Sequence, residues 1–466
     1  MKKQMTQRLN DSAAMRWGAL AVVSFTMMAA YFVNDVMAPM KTLLESDMGW
    51  SSSDYGYYTG GYSFLNVFLM MLIWGGFILD KFGVRFTGKL ATILMVVGTA
   101  IQYYGLTALA DSQTMIMGYK LSVNVAFIGY AIFGVGAEVA GITVTKVISK
   151  WFKGKEMATA MGTQVALARI GSQAGYALAL PVATKMGITT PVLIGIMLLI
   201  GGTVAFFIFS MWDKKLDKQI ADNASADEEE EKFSFKDVIS VVKNQGFWLI
   251  ALLCVLFYSC VFPFQKFATE LMILKYGVNE NLAGLIAGSP ALGALVLTPI
   301  FGGFIDKRGK AASIMALGAA MLIFVHCIYS IPSIHSTWVA IALMIVLGIA
   351  FSLVPSAMWP SVAKIFPSHQ LGTAYALIFF IQNIGLWGVP TLIGSVLDNY
   401  CVTGYSWVYN DSTKLVEAVK IYDYTIPMMI FTGIACISLV IAIALKVVDK
   451  KKGYNLEKAN IVSKEA

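Results

Sequence analysis

Histidine and cysteine are scarce in this chain. Its 466 residues include three histidines, at 326, 335 and 369, and five cysteines, at 254, 260, 327, 401 and 436. The cysteines show neither pairs at metal-ligand spacing nor an even set for disulfides, which leaves them as small packing residues. No Ser-His-Asp set, zinc pattern or phosphate loop occurs, so neither catalysis nor a metal or cofactor is expected. Charge is low as well: 14% of residues are Asp, Glu, Lys or Arg, against about 25% in a soluble globular domain. An ordinary water-soluble fold is excluded.

Apolar sequence fills the place of all this, at 57% of residues. Twelve runs are long enough to span a bilayer, near 17–38, 55–79, 89–109, 118–148, 157–181, 189–212, 246–270, 282–304, 311–331, 337–365, 371–397 and 425–447. A spanning helix needs roughly 20 mostly apolar residues, whereas barrel strands are shorter and alternate in polarity. The expected fold is therefore an all-α polytopic membrane protein. The first run is a full-length span without a short apolar stretch and cleavage site, and reads as a retained helix.

Lysine and arginine set the orientation. With both termini inside, 26 of the 35 basic residues fall on the inner side, and seven on or near the outer side. This imbalance predicts cytoplasmic termini in a bacterial-type inner membrane. The net charge of +7 is then topological, so the bilayer is the partner and nucleic acid is not.

Two charges break the apolar pattern. Glu138 lies fifteen residues before Lys153, and Arg169 fourteen after Lys155, on either side of the hairpin Trp151-Phe-Lys-Gly-Lys-Glu156. On antiparallel helices both stand roughly 21 Å from that hairpin at ~1.5 Å per residue, near the middle of a ~30 Å core. An ion there marks a substrate or ion pathway, unless the two charges merely neutralise each other as a buried strut.

The chain also repeats. Residues 213–244, with the acidic run Asp227 to Glu231, read as a cytoplasmic linker containing a short interfacial helix. They separate a six-helix half, 1–212, from a second, 245–448, which is followed by a tail, 449–466. Gly76-Phe-Ile-Leu-Asp80-Lys-Phe-Gly83-Val-Arg85 follows the second span, and Gly302-Gly-Phe-Ile-Asp306-Lys-Arg-Gly309-Lys310 the eighth. Paired motifs at equivalent places indicate the internal repeats of secondary transporters. Glycines allow a tight turn and close backbone approach, the aspartate suits the amino end of the next helix, and the basic residues reach phosphates or carbonyls. Such a charged latch can form in one conformation and break in the other.

With these motifs the chain resembles the major facilitator superfamily over essentially its whole length. Tyr31-Phe-Val-Asn-Asp35, Tyr62-Ser-Phe-Leu-Asn66, the 151–156 hairpin, Ala168-Arg169-Ile-Gly-Ser172, Val261-Phe-Pro-Phe264, His369 to Tyr375 and Ile381-Gln-Asn-Ile-Gly-Leu386 resemble one branch of it. That branch holds the animal lysosomal dipeptide transporters and bacterial relatives. The resemblance implies twelve helices in two pseudo-symmetric halves, alternating access, and a dipeptide site at the positions of Glu138 and Arg169. Animal members carry an acidic sorting tail and work with an accessory subunit. Only about sixteen residues precede the first span here, so neither is expected.

Dipeptide chemistry suits these residues independently. Arg169 offers a planar fork for a carboxylate and Glu138 an acceptor for an ammonium. Tyr31, Tyr62, Asn66, Gln382 and Asn383 are candidates for the peptide amide, and Asp35 for a basic side chain or a helix cap. Lys266, beside Pro263, is a candidate for substrate or for a gate at a broken helix, or else snorkels to the interface. The expected function is transport of dipeptides or related amino-acid derivatives. A proton-coupled organic-anion carrier and a non-transporting ligand sensor are the alternatives.

Overall fold

The computed structural model describes residues 8–223, 235–410 and 415–459, so the acidic run at 227–231 lies outside the described residues. The first half comprises α1 (Ala13–Asp35), short α2 (Lys41–Met48), α3 (Ser52–Phe68), α4 (Met71–Thr107), a small hairpin of β1 (Met115–Ile116) and β2 (Tyr119–Lys120), α5 (Leu121–Trp151), α6 (Met157–Met186) and α7 (Thr190–Asn223). Amphipathic α8 (Phe235–Lys243) leads to the second half: α9 (Gln245–Leu274), α10 (Glu280–Arg308), α11 (Ala311–Ser330), α12 (Thr337–Ile365) and α13 (Ser368–Tyr400). An antiparallel hairpin of β3 (Val402–Asn410) and β4 (Leu415–Tyr422) and then α14 (Thr425–Lys452) complete it.

Among the described residues, ten helices are long and apolar enough to cross a membrane. The α3 and α6 helices complete twelve crossings. They are the less apolar ones because they carry polar interior residues, including Asn66, Arg169 and Gln173. The α4 helix is two helices in one: Gly83, at φ 73° and ψ 173°, turns the chain between the end of the second crossing and the start of the third. That dihedral pair is open to glycine and strained for other residues. The second crossing is itself interrupted, since Met70 takes a left-handed conformation between α3 and α4. No proline or glycine marks that break.

Polar ends settle the helix starts. Ser51 accepts from the Asp54 amide at 3.0 Å while the Asp54 carboxylate accepts from the Ser51 amide at 2.8 Å, a reciprocal cap for α3. Asn244 and Asn279 cap α9 and α10 in the same way from one side. Pro263 does not break α9, contrary to the sequence expectation: the helix runs on to Leu274. In an apolar interior a broken turn would strand further amides without water, so losing the one bond that proline forbids is the cheaper outcome.

The first and last described residues lie at one end of the bundle, here the terminal face. Leu9 donates to Gln219, Lys155 donates to Asp11 at 2.8 Å, Tyr454 donates to Asn244, and Lys364 reaches the carbonyls of Asn455 and Lys458. The Lys155 bond holds the Asp11 carboxyl below its ordinary value. The α7 helix extends past residue 212, and its Asp213 is buried against Trp151 and Lys150. The first residues of the 213–244 stretch are thus helical and tied to the first half.

The halves meet mainly near the opposite end, the far face, along α3 with α13 and α6 with α10. Each contact uses two glycines four residues apart. A Cβ at Gly60 would stand 2.6 Å from the Trp387 carbonyl oxygen, and Gly56 lies against Pro390 and Gly394. On α10, Gly284 and Gly288 take up Tyr176 of α6. Missing side chains let the backbones approach where apolar burial alone gives little drive between helices. Gly171 and Gly175 pack on α1 in the same manner, as their spacing implies.

Candidate functional site

Arg169 sits about 12 residues into α6 and Glu138 about 13 from the end of α5, which puts both roughly 20 Å from the terminal face. Both are half-buried. The Arg169 guanidinium lies between two rings, 5.6 Å from the centroid of Tyr31 in the first half and 4.9 Å from that of Phe351 in the second. Glu138 accepts a hydrogen bond from the Tyr62 hydroxyl at 3.1 Å. Among the described residues Arg169 has no hydrogen bond or ion pair, and Glu138 has no cation. The two are not a strut. Tyr31 lies within electrostatic reach of Arg169, Glu138 and Asp35, which gathers these groups in one region.

The amide candidates are nearly buried and only partly bonded. The Asn66 side chain reaches the Tyr62 carbonyl at 3.5 Å, and that of Asn383 the Phe379 carbonyl at 3.0 Å; the Oδ1 atom of each has no partner. Gln382 accepts from the Cys254 thiol at 3.3 Å. Cys254 and Arg169 both lie within electrostatic reach of Tyr258. Sequence reasoning missed the aromatic wall opposite the charges: Phe262 stacks on Tyr258 at 5.3 Å and meets Phe351 edge-on at 5.4 Å, while Trp359 donates to the Tyr258 hydroxyl at 3.3 Å. Rings inside apolar runs carry no signal that separates lining from packing.

Asp35 and Lys266 face each other rather than open space. Lys266 donates to the Asp35 carboxylate at 2.7 Å and to the Asn34 carbonyl at 2.6 Å, joining α9 to α1 across the halves. Ser172 donates to the other Asp35 oxygen. In this conformation Lys266 ties the two halves together, and Asp35 is an ion-pair partner more than a helix cap. A second inter-half cluster, Lys41, Glu45, Glu270 and Tyr424, was also missed. The spacing of Lys41 and Glu45 at one helical turn, and Glu270 in an otherwise apolar run, were the available signals.

The two latch motifs differ. Asp80 pairs with Lys146 of α5 at 3.0 Å, not with the amino end of the next helix. The motif's turn falls three residues later, which leaves that carboxylate beside α5. Arg85 reaches Asp217 at 3.2 Å and Asp213 at 4.0 Å on α7. Gly83 and Gly309 have φ of 73° and 71° and make the turns. Gly76 and Gly302 face open space, so the close approach read from them is not made here. Asp306 lies within electrostatic reach of Lys364, and the tail backbone from Glu457 to Ala459 passes directly over Gly309.

Twelve crossings, two halves meeting through paired glycines and charges at mid-depth define a carrier of the alternating-access type. The sequence model of the Major Facilitator Superfamily matches residues 20–390 and 275–460, and the chain belongs to that superfamily of transporters. Within it the chain is similar to the lysosomal dipeptide transporter MFSD1 of Danio rerio, 29% identical over 398 residues, covering 83% of this chain and 81% of the relative. The MFSD1 of Gallus gallus is 31% identical over 311 residues, 63% of this chain and 68% of the relative. The fold is also that of a bacterial homologue of the human lysosomal transporter Spinster, solved inward-facing and occupied, with TM-score 0.64 and 13% identity, covering 97% of this chain and 100% of that one.

Proposed function

We propose that the chain carries dipeptides or closely related amino-acid derivatives, with both termini in the cytoplasm of a bacterial-type plasma membrane. One observation carries the reading: an arginine and a glutamate stand at mid-depth without satisfying each other. A buried charge left unpaired is costly, and a zwitterion supplies both missing partners at once. Its carboxylate replaces the ring faces at Arg169, and its ammonium meets Glu138. The unpartnered Oδ1 atoms of Asn66 and Asn383 supply acceptors for peptide N–H groups. The similarity to the MFSD1 proteins supports the same substrate class.

On this reading the far face is closed and substrate enters from the terminal face, the side for which the excess of basic residues predicts a cytoplasmic orientation. Thermal stabilisation of the purified protein across dipeptides, free amino acids and organic acids tests the substrate class, because a ligand that binds the folded state raises its stability by mass action. Dipeptides are expected to stabilise most. Stabilisation by organic acids alone would identify an anion carrier instead.

A further inference from the structure

The cluster at the far face contains more acid than base. Lys41 of α2 donates to Glu45 Oε1 and to Glu270 Oε2 of α9, each at 2.6 Å. Ser52 donates to Glu45 at 2.9 Å, and the Tyr424 hydroxyl donates to Glu270. The side chains of Lys41, Glu45 and Glu270 are only 1%, 4% and 1% exposed. Tyr422 of β4 covers the ammonium at 4.8 Å, with Tyr55 of α3 and Phe267 of α9 at about 6 Å. Among the described residues these are the ring and hydrogen-bond contacts around the ammonium and its two carboxylates. The neighbouring charges, Asp35 with Lys266 and Asp398 with Lys420, are already paired.

One ammonium between two carboxylates leaves an excess negative charge where water does not reach. Because one ammonium holds Glu45 Oε1 and Glu270 Oε2, each at 2.6 Å, the two carboxyl groups are immediate neighbours. Two buried carboxylates so placed repel each other, whereas a carboxyl beside a carboxylate does not and has an O–H to donate. Glu45 belongs to the first half and Glu270 to the second, so this contact exists only while the far face is closed. We propose that Glu45 and Glu270 share one proton in the closed state, making the cluster a proton-operated lock on the far face. When the halves part, water enters, both carboxylates are hydrated, and the proton leaves to solvent on that same face. No proton crosses the membrane in the cycle. Because only the closed form holds the proton, acid on the far face favours closure and alkali favours opening, by up to tenfold per pH unit. The lock operates whether or not dipeptides are the cargo.

The full chain, with Cys327 and Cys436 replaced by serine and spin labels on Ser112→Cys and Ser333→Cys, reports the far-face distance by pulsed electron resonance. The closed-to-open ratio is expected to fall at least tenfold between pH 5 and pH 9. Glu45→Gln and Glu270→Gln each keep a hydrogen-bonding amide without the shared proton, and are expected to flatten the profile to under twofold. A flat profile in the chain carrying both glutamates would overturn the proposal before any variant is considered. So would an unchanged profile in either folded glutamine variant.

Discussion

Arg169 rests on one ring from each half, so its position reports on both. Arg169→Lys keeps the charge and loses the planar fork. The loss of one charge-assisted hydrogen bond, about 1.5–3 kcal/mol, predicts dipeptide binding weaker by roughly 10- to 100-fold. Glu138→Gln keeps shape and the Tyr62 contact while removing the charge, and is expected to abolish dipeptide binding at every pH. Calorimetry on the folded variants checks both; survival of binding with loss of pH-driven accumulation would make Glu138 a proton carrier. These two residues were legible in the sequence because a charge in an apolar run is conspicuous. Phe351, Tyr258 and Trp359 were not, because their neighbours are equally apolar. Lys266 and Asp35 were both noticed, but their pairing joins positions 231 residues apart, and only the packed halves reveal it.

Elements at the far face are joined through missing side chains. Gly60→Leu or Gly288→Leu would drive atoms into the Trp387 carbonyl or Tyr176, whose distances from an added Cβ are 2.6 and 2.7 Å. Each is expected to hold the far face open, raising the reactivity of a far-face cysteine and lowering transport more than tenfold while expression continues. The Asp80 motif at the terminal face leads to a different expectation. Asp80 is well exposed, so Asp80→Asn should change stability by less than about 1 kcal/mol. Its expected effect is on turnover, with ligand binding retained, as initial uptake rate and calorimetry together would show; normal uptake would make the motif a turn only. Hydropathy located most helix ends within about five residues, since membrane spans must bury apolar length, but α7 runs on to Asn223, past the expected end at 212. It gave no warning of the break at Met70 within the second crossing, nor of the β3–β4 hairpin and short α2 at the bundle end, whose conformations depend on packing rather than on periodicity.

At the scale of the whole molecule, two six-helix halves enclose the proposed site, whose charged anchors belong to the first and whose rings and amides belong largely to the second. The basic residues predict that a cysteine introduced within 213–244 is labelled in inverted vesicles and protected in intact cells; labelling from outside intact cells would reverse the orientation. The central claim is that one zwitterion spans Arg169 and Glu138. Binding of a free dipeptide, its N-acetyl form and its C-terminal amide to the purified chain tests that claim most directly, because each blocked form removes one partner without altering the rest. The account predicts binding of the free dipeptide, with affinity reduced at least tenfold by either block. Equal affinity for all three would contradict it.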